Sequence, residues 1–287
     1  MVPESAARLR DTCPVAEFLH DPMLYAGAAE FYPRGRLAYP AELADRLTDE
    51  LGLDGTGRLL DVGCGPGSLT LLLAGRFEHA VGIDADGDMV REAARLAAAA
   101  GVSGVEWRQM YAEDLPGDLG RFRVVAFAQS FHWMDQYKVA KVVRGMLAPD
   151  GACIHVHATT HRGIATDADL KFPEPPHESL LELTRRHLDP AGGSSVLARA
   201  SLSGESDAYR AAGFTEPQQI TIAGPVVTRT REEVIAAVFS LSTSTPYLFG
   251  DRRAAFEVEA RRLLDDASPS GLFSEQMREI AADVWRP

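Results

Sequence analysis

Residues 59–75 read LLDVGCGPGSLTLLLAG, and this stretch sets an acid, three glycines and a proline between two apolar runs. The run before the glycines has the length and composition of a buried strand, and the run after them that of a helix. Gly63, Gly65 and Gly67 therefore lie at the carboxyl end of a strand, where they let the backbone turn sharply and approach a ligand with no Cβ in the way. Three alternating glycines exceed what a turn alone requires.

The same alternation continues outward. Residues 40–51 (PAELADRLTDEL) repeat apolar positions at helical spacing after Pro40, and Gly52 to Gly57 break the pattern. AVGIDAD is a second strand ending in acid, and DMVREAARLAAAAG a helix closed by Gly101. VEWRQMYAEDLP is a third strand and loop, and FRVVAFAQS a fourth strand. QYKVAKVVRGMLAPDG is a helix stopped by Pro149 and Gly151, and GACIHVHAT a fifth strand. Strands alternating with helices predict a doubly wound, mostly parallel α/β sheet of Rossmann-like type, covered on both faces. After about residue 162 the texture changes: KFPEPP and AGGSS mark loops around a short helical stretch, ESLLELTRRHL, which reads as an insertion over the sheet. AYRAAGFTEPQQITIAG is helix, turn and strand, and two further helices begin near Thr230 and run through RRAAFEVEARRLLDD. In SEQMREIAADVW, Met277, Ile280, Ala281, Val284 and Trp285 fit helical spacing, while the family resemblance given below implies an edge strand, which is the preferred reading. The expected organisation is an N-terminal flap and helix (1–53), a ligand-binding core (54–160), a cap insertion (161–203), and completion of the sheet with a second helical insertion (204–287).

Composition narrows the function. With 46% apolar and 24% charged residues in 287, the chain can bury a sizeable core. The 29 basic and 41 acidic residues leave a net charge of −12, so the positive field that gathers nucleic acid is missing. MVPESAARLRDT has no apolar segment of a secretory leader, and no apolar run reaches the roughly 20 residues that span a bilayer. Cys13, Cys64 and Cys153 are widely spaced and odd in number, as suits reduced thiols. A cytoplasmic protein with no nucleic-acid or membrane partner is expected; oligomeric state is not legible.

The ligand of the glycine loop follows from what surrounds it. A dinucleotide fingerprint counted from Gly63 requires glycine or alanine at 68, where Ser68 stands. Asp61, just before the loop, would repel a pyrophosphate and attract a cation. Asp84 ends the second strand, where an acid accepts hydrogen bonds from both hydroxyls of a ribose. A nucleoside that carries positive charge and no phosphate points to S-adenosylmethionine.

DVGCGPG, GID, AEDLP and QSFHWMD resemble the class I S-adenosylmethionine-dependent methyltransferases, particularly their small-molecule "type 11" branch, and FYPRGRLAYP, STSTPYLFGDR and VWRP are similar to it more loosely. The resemblance implies a seven-stranded Rossmann-like sheet with a helical cap. It implies that Asp61, Gly63, Gly65 and Gly67 contact the amino-acid part of the cofactor, that Asp84 contacts the ribose, and that Ala112 and Glu113 lie beside the adenine. Cys64, Ala85, Met89 and Gln129 complete the expected binding set. Tyr111 stands where many relatives carry aspartate, and its ring is placed to stack instead.

Methyl transfer from a sulfonium is an in-line displacement that requires orientation and exclusion of water, and a hydroxyl acceptor must also lose a proton. His132, just past the fourth strand, is the candidate base, set against a reading in which His132 and Trp133 pack the start of a helix capped by Asp135. His157 is a second candidate. His155, His157 and His161 invite a metal reading, but no carboxylate accompanies them locally, so no metal is expected. Tyr32, Arg36 and Tyr39 are read as a flap over the cofactor, the arginine suited to a carboxylate. Trp133, His157, Phe172, Phe239, Tyr247 and Phe249 are candidates to wall a small-molecule acceptor, set against a reading of Phe172, Phe239, Tyr247 and Phe249 as ordinary core of a helical cap. The expected activity is methyl transfer to an O or N atom in specialised metabolism; the rival readings are a non-catalytic cofactor-binding protein and an NAD-dependent oxidoreductase.

Overall fold

The computed structural model describes residues 23–188 and 204–287; Cys13 and the AGGSS loop lie outside them. The apolar run before the glycines forms β1 (Arg58–Val62), whose Leu59, Leu60 and Val62 are wholly buried because both faces of the strand are covered. Four more strands lie parallel to it in the order β3 (Val105–Gln109), β2 (His79–Asp84), β1, β4 (Phe122–Ala128), β5 (Leu147–His157). β9 (Ile280–Trp285) runs antiparallel beside β5, and β6 (Gln218–Ile222) pairs with β9 to complete seven strands. A separate pair, β7 (Val226–Thr230) and β8 (Leu272–Gln276), runs antiparallel.

This arrangement corrects the expected edge strand. SEQMREIAADVW divides between β8 and β9, and β9 is an inner strand while β6 holds the edge. Ile280, Ala282 and Val284 alternate onto one apolar face while Trp285 stacks on Tyr209 on the other, with ring centroids 4.8 Å apart.

On one face α2 (Ala41–Leu51) and α3 (Ser68–Leu73) set Leu43, Leu47 and Leu73 against Leu59, Val124 and Ile154. α2 begins after Pro40 and stops at Gly52, which takes the left-handed conformation. On the other face α5 (Gln136–Met146) and α7 (Glu205–Ala212) bury Val143 and Tyr209 against Phe127, Phe131 and Trp285. α4 (Gly87–Ala99) is capped by Asp86, whose carboxylate accepts the amides of Asp88 and Met89.

The cap has its own core. α6 (His177–His187), α8 (Arg231–Phe239) and α10 (Arg253–Ala267) gather Leu180, Leu183, Phe239, Phe256 and Leu264 around Phe31, Phe249 and Phe273. α8 starts in a capping box between Thr230 and Glu233. Arg229, buried itself, donates to the carbonyls of His161, Gly35 and Glu233 and pairs with buried Glu275 at 3.3 Å. Glu275 also accepts from His177 at 2.6 Å and from the Gly163 amide at 2.7 Å. One ion pair thus joins the N-terminal segment, the chain leaving β5 and the cap. No helix among the described residues is long and apolar enough to cross a membrane.

Phe239→Ala should cost about 3–5 kcal/mol of stability, because its ring packs on Phe31, Phe249 and Phe256 with no exposed surface to relax into. Urea unfolding followed by fluorescence measures it, and a loss under about 1 kcal/mol would contradict the core assignment.

Candidate functional site

All five parallel strands end at the same edge, and the loops leaving β1, β2, β4 and β5 build a crevice there. Gly63, Gly65 and Gly67 all have positive φ, yet they are glycine for different reasons. A Cβ on Gly63 would lie 2.5 Å from the Ser130 Cβ, and one on Gly67 2.5 Å from the Trp107 ring. Around Gly65, among the described residues, there is nothing within 4 Å of that position. Two glycines seat the loop on its neighbours, and the middle one faces open space. Cys64 is buried, with its thiol pushed up by burial, and acts as a small side chain in the turn. Cys153 is buried and free as well.

Two carboxylates flank the loop. Asp84 accepts the Gly65 amide at 2.7 Å and the Asp86 amide at 2.9 Å, and burial pushes it up to about 6 despite those bonds. Asp61 is wholly buried and accepts from Thr70 Oγ1 at 2.6 Å through Oδ2, while its Oδ1 has no hydrogen-bond partner among the described residues. Burial, with nearby Asp84, pushes Asp61 up to about 7. A buried carboxylate with one oxygen unsatisfied is a site that a cationic donor would stabilise.

The N-terminal segment lies across this pair. Met89 packs with Ala28 and Ala29, and Tyr25 and Tyr32 pack against that cluster. Tyr25, pushed up to about 12 by burial, feels the charges of Arg36 and Asp84 and meets Trp133 edge-on at 6.4 Å. Arg36 lies over the Tyr32 ring, but its Nε and Nη2 donate to Ser240 Oγ and O at 2.8 and 3.0 Å. Arg36, expected to meet a ligand carboxylate, fastens the flap to the cap.

Gln129, after β4, is the one non-glycine described residue with positive φ, at 56°. That conformation costs a side-chain-bearing residue about 1–2 kcal/mol, and it lets the side chain donate to buried Tyr39 at 3.1 Å. Ala112 is buried in the turn that follows β3, Tyr111 precedes it half-buried, and Glu113 accepts the Asp135 amide at 2.8 Å. Ala85 is exposed; its carbonyl accepts from Gln109 at 3.1 Å. Asp135 caps α5 as expected. His132 is half-buried 4.9 Å from the Trp133 ring, and burial holds it below the usual histidine range. Trp133 Nε1 is buried with no hydrogen-bond partner among the described residues.

The acceptor wall expected from the aromatic residues is not what the structure assembles. Phe239 and Phe249 are 0% and 1% exposed inside the cap core, Tyr247 is 59% exposed on the outside, and Phe172 lies against β8, its amide bonded to Ser274 Oγ. Core packing, not a cavity, explains the first two. The HVHATTH histidines also separate. His155 and His157 stack at 4.2 Å on one strand face, while His161 stands near Arg36 and Arg229 with Nδ1 buried and unpartnered. The missing carboxylates arrive from distant sequence: Asp283 accepts from His157 Nε2 at 3.1 Å, and Glu205 comes within 3.7 Å of His155 Nε2. Sequence reasoning missed Ser130, Trp107, Tyr25, Glu205 and Asp283. Only Trp107 carried a signal, being a large ring opposite two small positions, Gly67 and Gly82.

Residues 59–151 match the profile of a methyltransferase domain. An uncharacterized methyltransferase of Bacillus subtilis, YcgJ, is 32% identical over 95 residues, which are 33% of this chain and 38% of that protein. One of Schizosaccharomyces pombe, C70.08c, is 33% identical over 107 residues, 37% of this chain and 40% of that one. The matched segment thus spans about two fifths of the curated relatives. Among solved structures, a candidate type II methyltransferase from Anaeromyxobacter dehalogenans superposes with a TM-score of 0.50 at 21% identity, over 87% of this chain and 95% of that one, and so shares the fold.

Asp61→Asn tests the buried acid. A carboxyl raised in the folded state weakens folding as pH climbs from its unfolded value, near 4, through about 7, and the penalty is complete above that. The wild type should lose on the order of 4 kcal/mol through this group between pH 4 and 8, and the variant, which cannot ionise, should lose that much less. Denaturant titrations across the range that gave parallel curves would show Asp61 to be ionised without penalty.

Proposed function

We propose, from a core at residues 59–151 that belongs to the class I S-adenosylmethionine-dependent methyltransferases, that the whole chain transfers a methyl group to an O or N atom of a small molecule, of the kind handled in specialised metabolism. The observation that carries the proposal is the orphaned Oδ1 of Asp61 beside the open space over Gly65. These residues suit a ligand that brings an ammonium or sulfonium and must come close to the backbone. S-adenosylmethionine is the cofactor of this class and supplies, when bound, an electrophilic methyl group on sulfur.

In this reading Asp61 and the Gly63–Gly67 turn hold the amino-acid end of the cofactor. Asp84 keeps one lone pair on each oxygen beyond its two amide bonds, enough to accept from ribose hydroxyls. Ala112 and Glu113 border the adenine, with Ala85, Met89 and Tyr111 around it. The flap carrying Tyr25 and Tyr32 excludes water, and Arg36 keeps that flap closed through Ser240. His132, held neutral by burial, takes the proton from a hydroxyl acceptor. The net charge of −12 supports a small acceptor over a polyanion.

Calorimetry with S-adenosylmethionine and its demethylated product should show binding by the wild type and none by Gly65→Val, whose branched side chain would fill the open space. Circular dichroism must show the variant folded, since φ at 65 is +54°; a folded variant with wild-type affinity would reduce the loop to a turn.

His132→Ala should slow transfer to a hydroxyl acceptor by roughly 10²–10⁴ with cofactor affinity near wild type, because proton removal belongs to the transition state. A loss below tenfold in single-turnover rates would leave His132 as packing beside Trp133.

A further inference from the structure

On the face of β5 turned toward α7, His155 is 3% exposed and its ring makes no hydrogen bond among the described residues. A buried imidazole ordinarily satisfies at least one nitrogen, so this side chain stands ready for a partner. Around it the fold collects ligands from three separate regions. His157 follows two residues along the same strand face, Glu205 opens α7, and Asp283 sits opposite His155 in the β5–β9 register. Ligand atoms of His155, His157 and Glu205 all lie within 4.8 Å of one another. His157 turns Nε2 to Asp283 at 3.1 Å, and Asp283 is fixed in turn by Gln219 at 2.8 Å, which leaves Nδ1 as the nitrogen His157 can offer. Among the described residues no lysine or arginine pairs with Glu205 or Asp283.

We propose that His155, His157 and Glu205 form a binding site for a divalent transition metal, zinc by its ligand set, with Asp283 orienting His157. Two imidazoles and a carboxylate are a known tetrahedral set for zinc, and three protein ligands leave one position for water or a further donor. A ligating histidine that gives its other N–H to a carboxylate is the usual supporting arrangement, here His157 to Asp283. Magnesium and calcium, which favour oxygen, fit this set poorly. The site stands beside the crevice, because the Gln129 amide donates to the carbonyl of Val156, between the two histidines. It does not depend on the reading of the glycine loop.

The test uses the full chain without a histidine tag, stripped with a chelator and titrated with zinc chloride by calorimetry, with bound metal counted by mass spectrometry. One equivalent should bind, and cobalt(II) in its place should give the intense visible absorption of a tetrahedral site. His155→Ala, His157→Ala and Glu205→Gln should each lose that equivalent, and Asp283→Asn should weaken it about 10–100-fold. His157→Ala guards against unfolding as the cause, because that side chain is 43% exposed. Absence of zinc binding, or wild-type affinity in the folded His157→Ala and Glu205→Gln proteins, would overturn the proposal.

Discussion

The crevice depends on a single carboxylate. Asp84 draws the Gly65 amide to one oxygen and the Asp86 amide to the other, so the acid at the end of β2 holds both the turn after β1 and the cap of α4. Without that clamp the glycines between Val62 and Ser68 would sample many conformations, since glycine loses more freedom on folding than any other residue. Seating Gly63 on Ser130 and Gly67 on Trp107 completes the constraint from both sides. A pre-shaped loop is the result.

Such preorganisation stores unfavourable electrostatics. Asp61, buried with one oxygen unpaired, and Asp84, half-buried nearby, each lose hydration in the fold, and each resists ionisation for that reason. A protein optimised only to fold would replace Asp61 with an apolar residue of similar size. Its retention beneath the loop fits a site whose ligand brings the missing positive charge.

The sheet was legible because its strands are continuous apolar runs, its helices amphipathic, and its turns marked by glycine and acid; the parallel pairing of β1 to β5 followed from that alternation, their spatial order did not. The loop residues from Asp61 to Gly67, and Asp84, were legible for the same local reason. What stayed hidden depends on contacts between distant residues. Phe239 and Phe249 have the composition of a pocket wall and the packing of a core, and only the positions of Phe31 and Phe256 decide between them. Arg36 was paired by type with a carboxylate ligand, whereas Ser240 lies 204 residues away. His155 and His157 lacked carboxylates locally because Glu205 and Asp283 are supplied by other elements. The stretch 274–285 was ambiguous because Ile280 and Val284 satisfy a helical period and a strand period alike.

The position of β9 bears on how the molecule is made. β6 touches the sheet only through β9, and β9 itself is wedged between β5 and β6 by antiparallel pairing on both sides. As the chain leaves the ribosome, β1 to β5 can assemble in order, but residues 218–222 have no neighbour to pair with until residues 280–285 have been synthesised. Until then both β5 and β6 present an open row of amides and carbonyls, the kind of edge on which nascent chains associate with one another. The slow arrival of one short strand therefore defines the interval in which this protein is most in need of a chaperone.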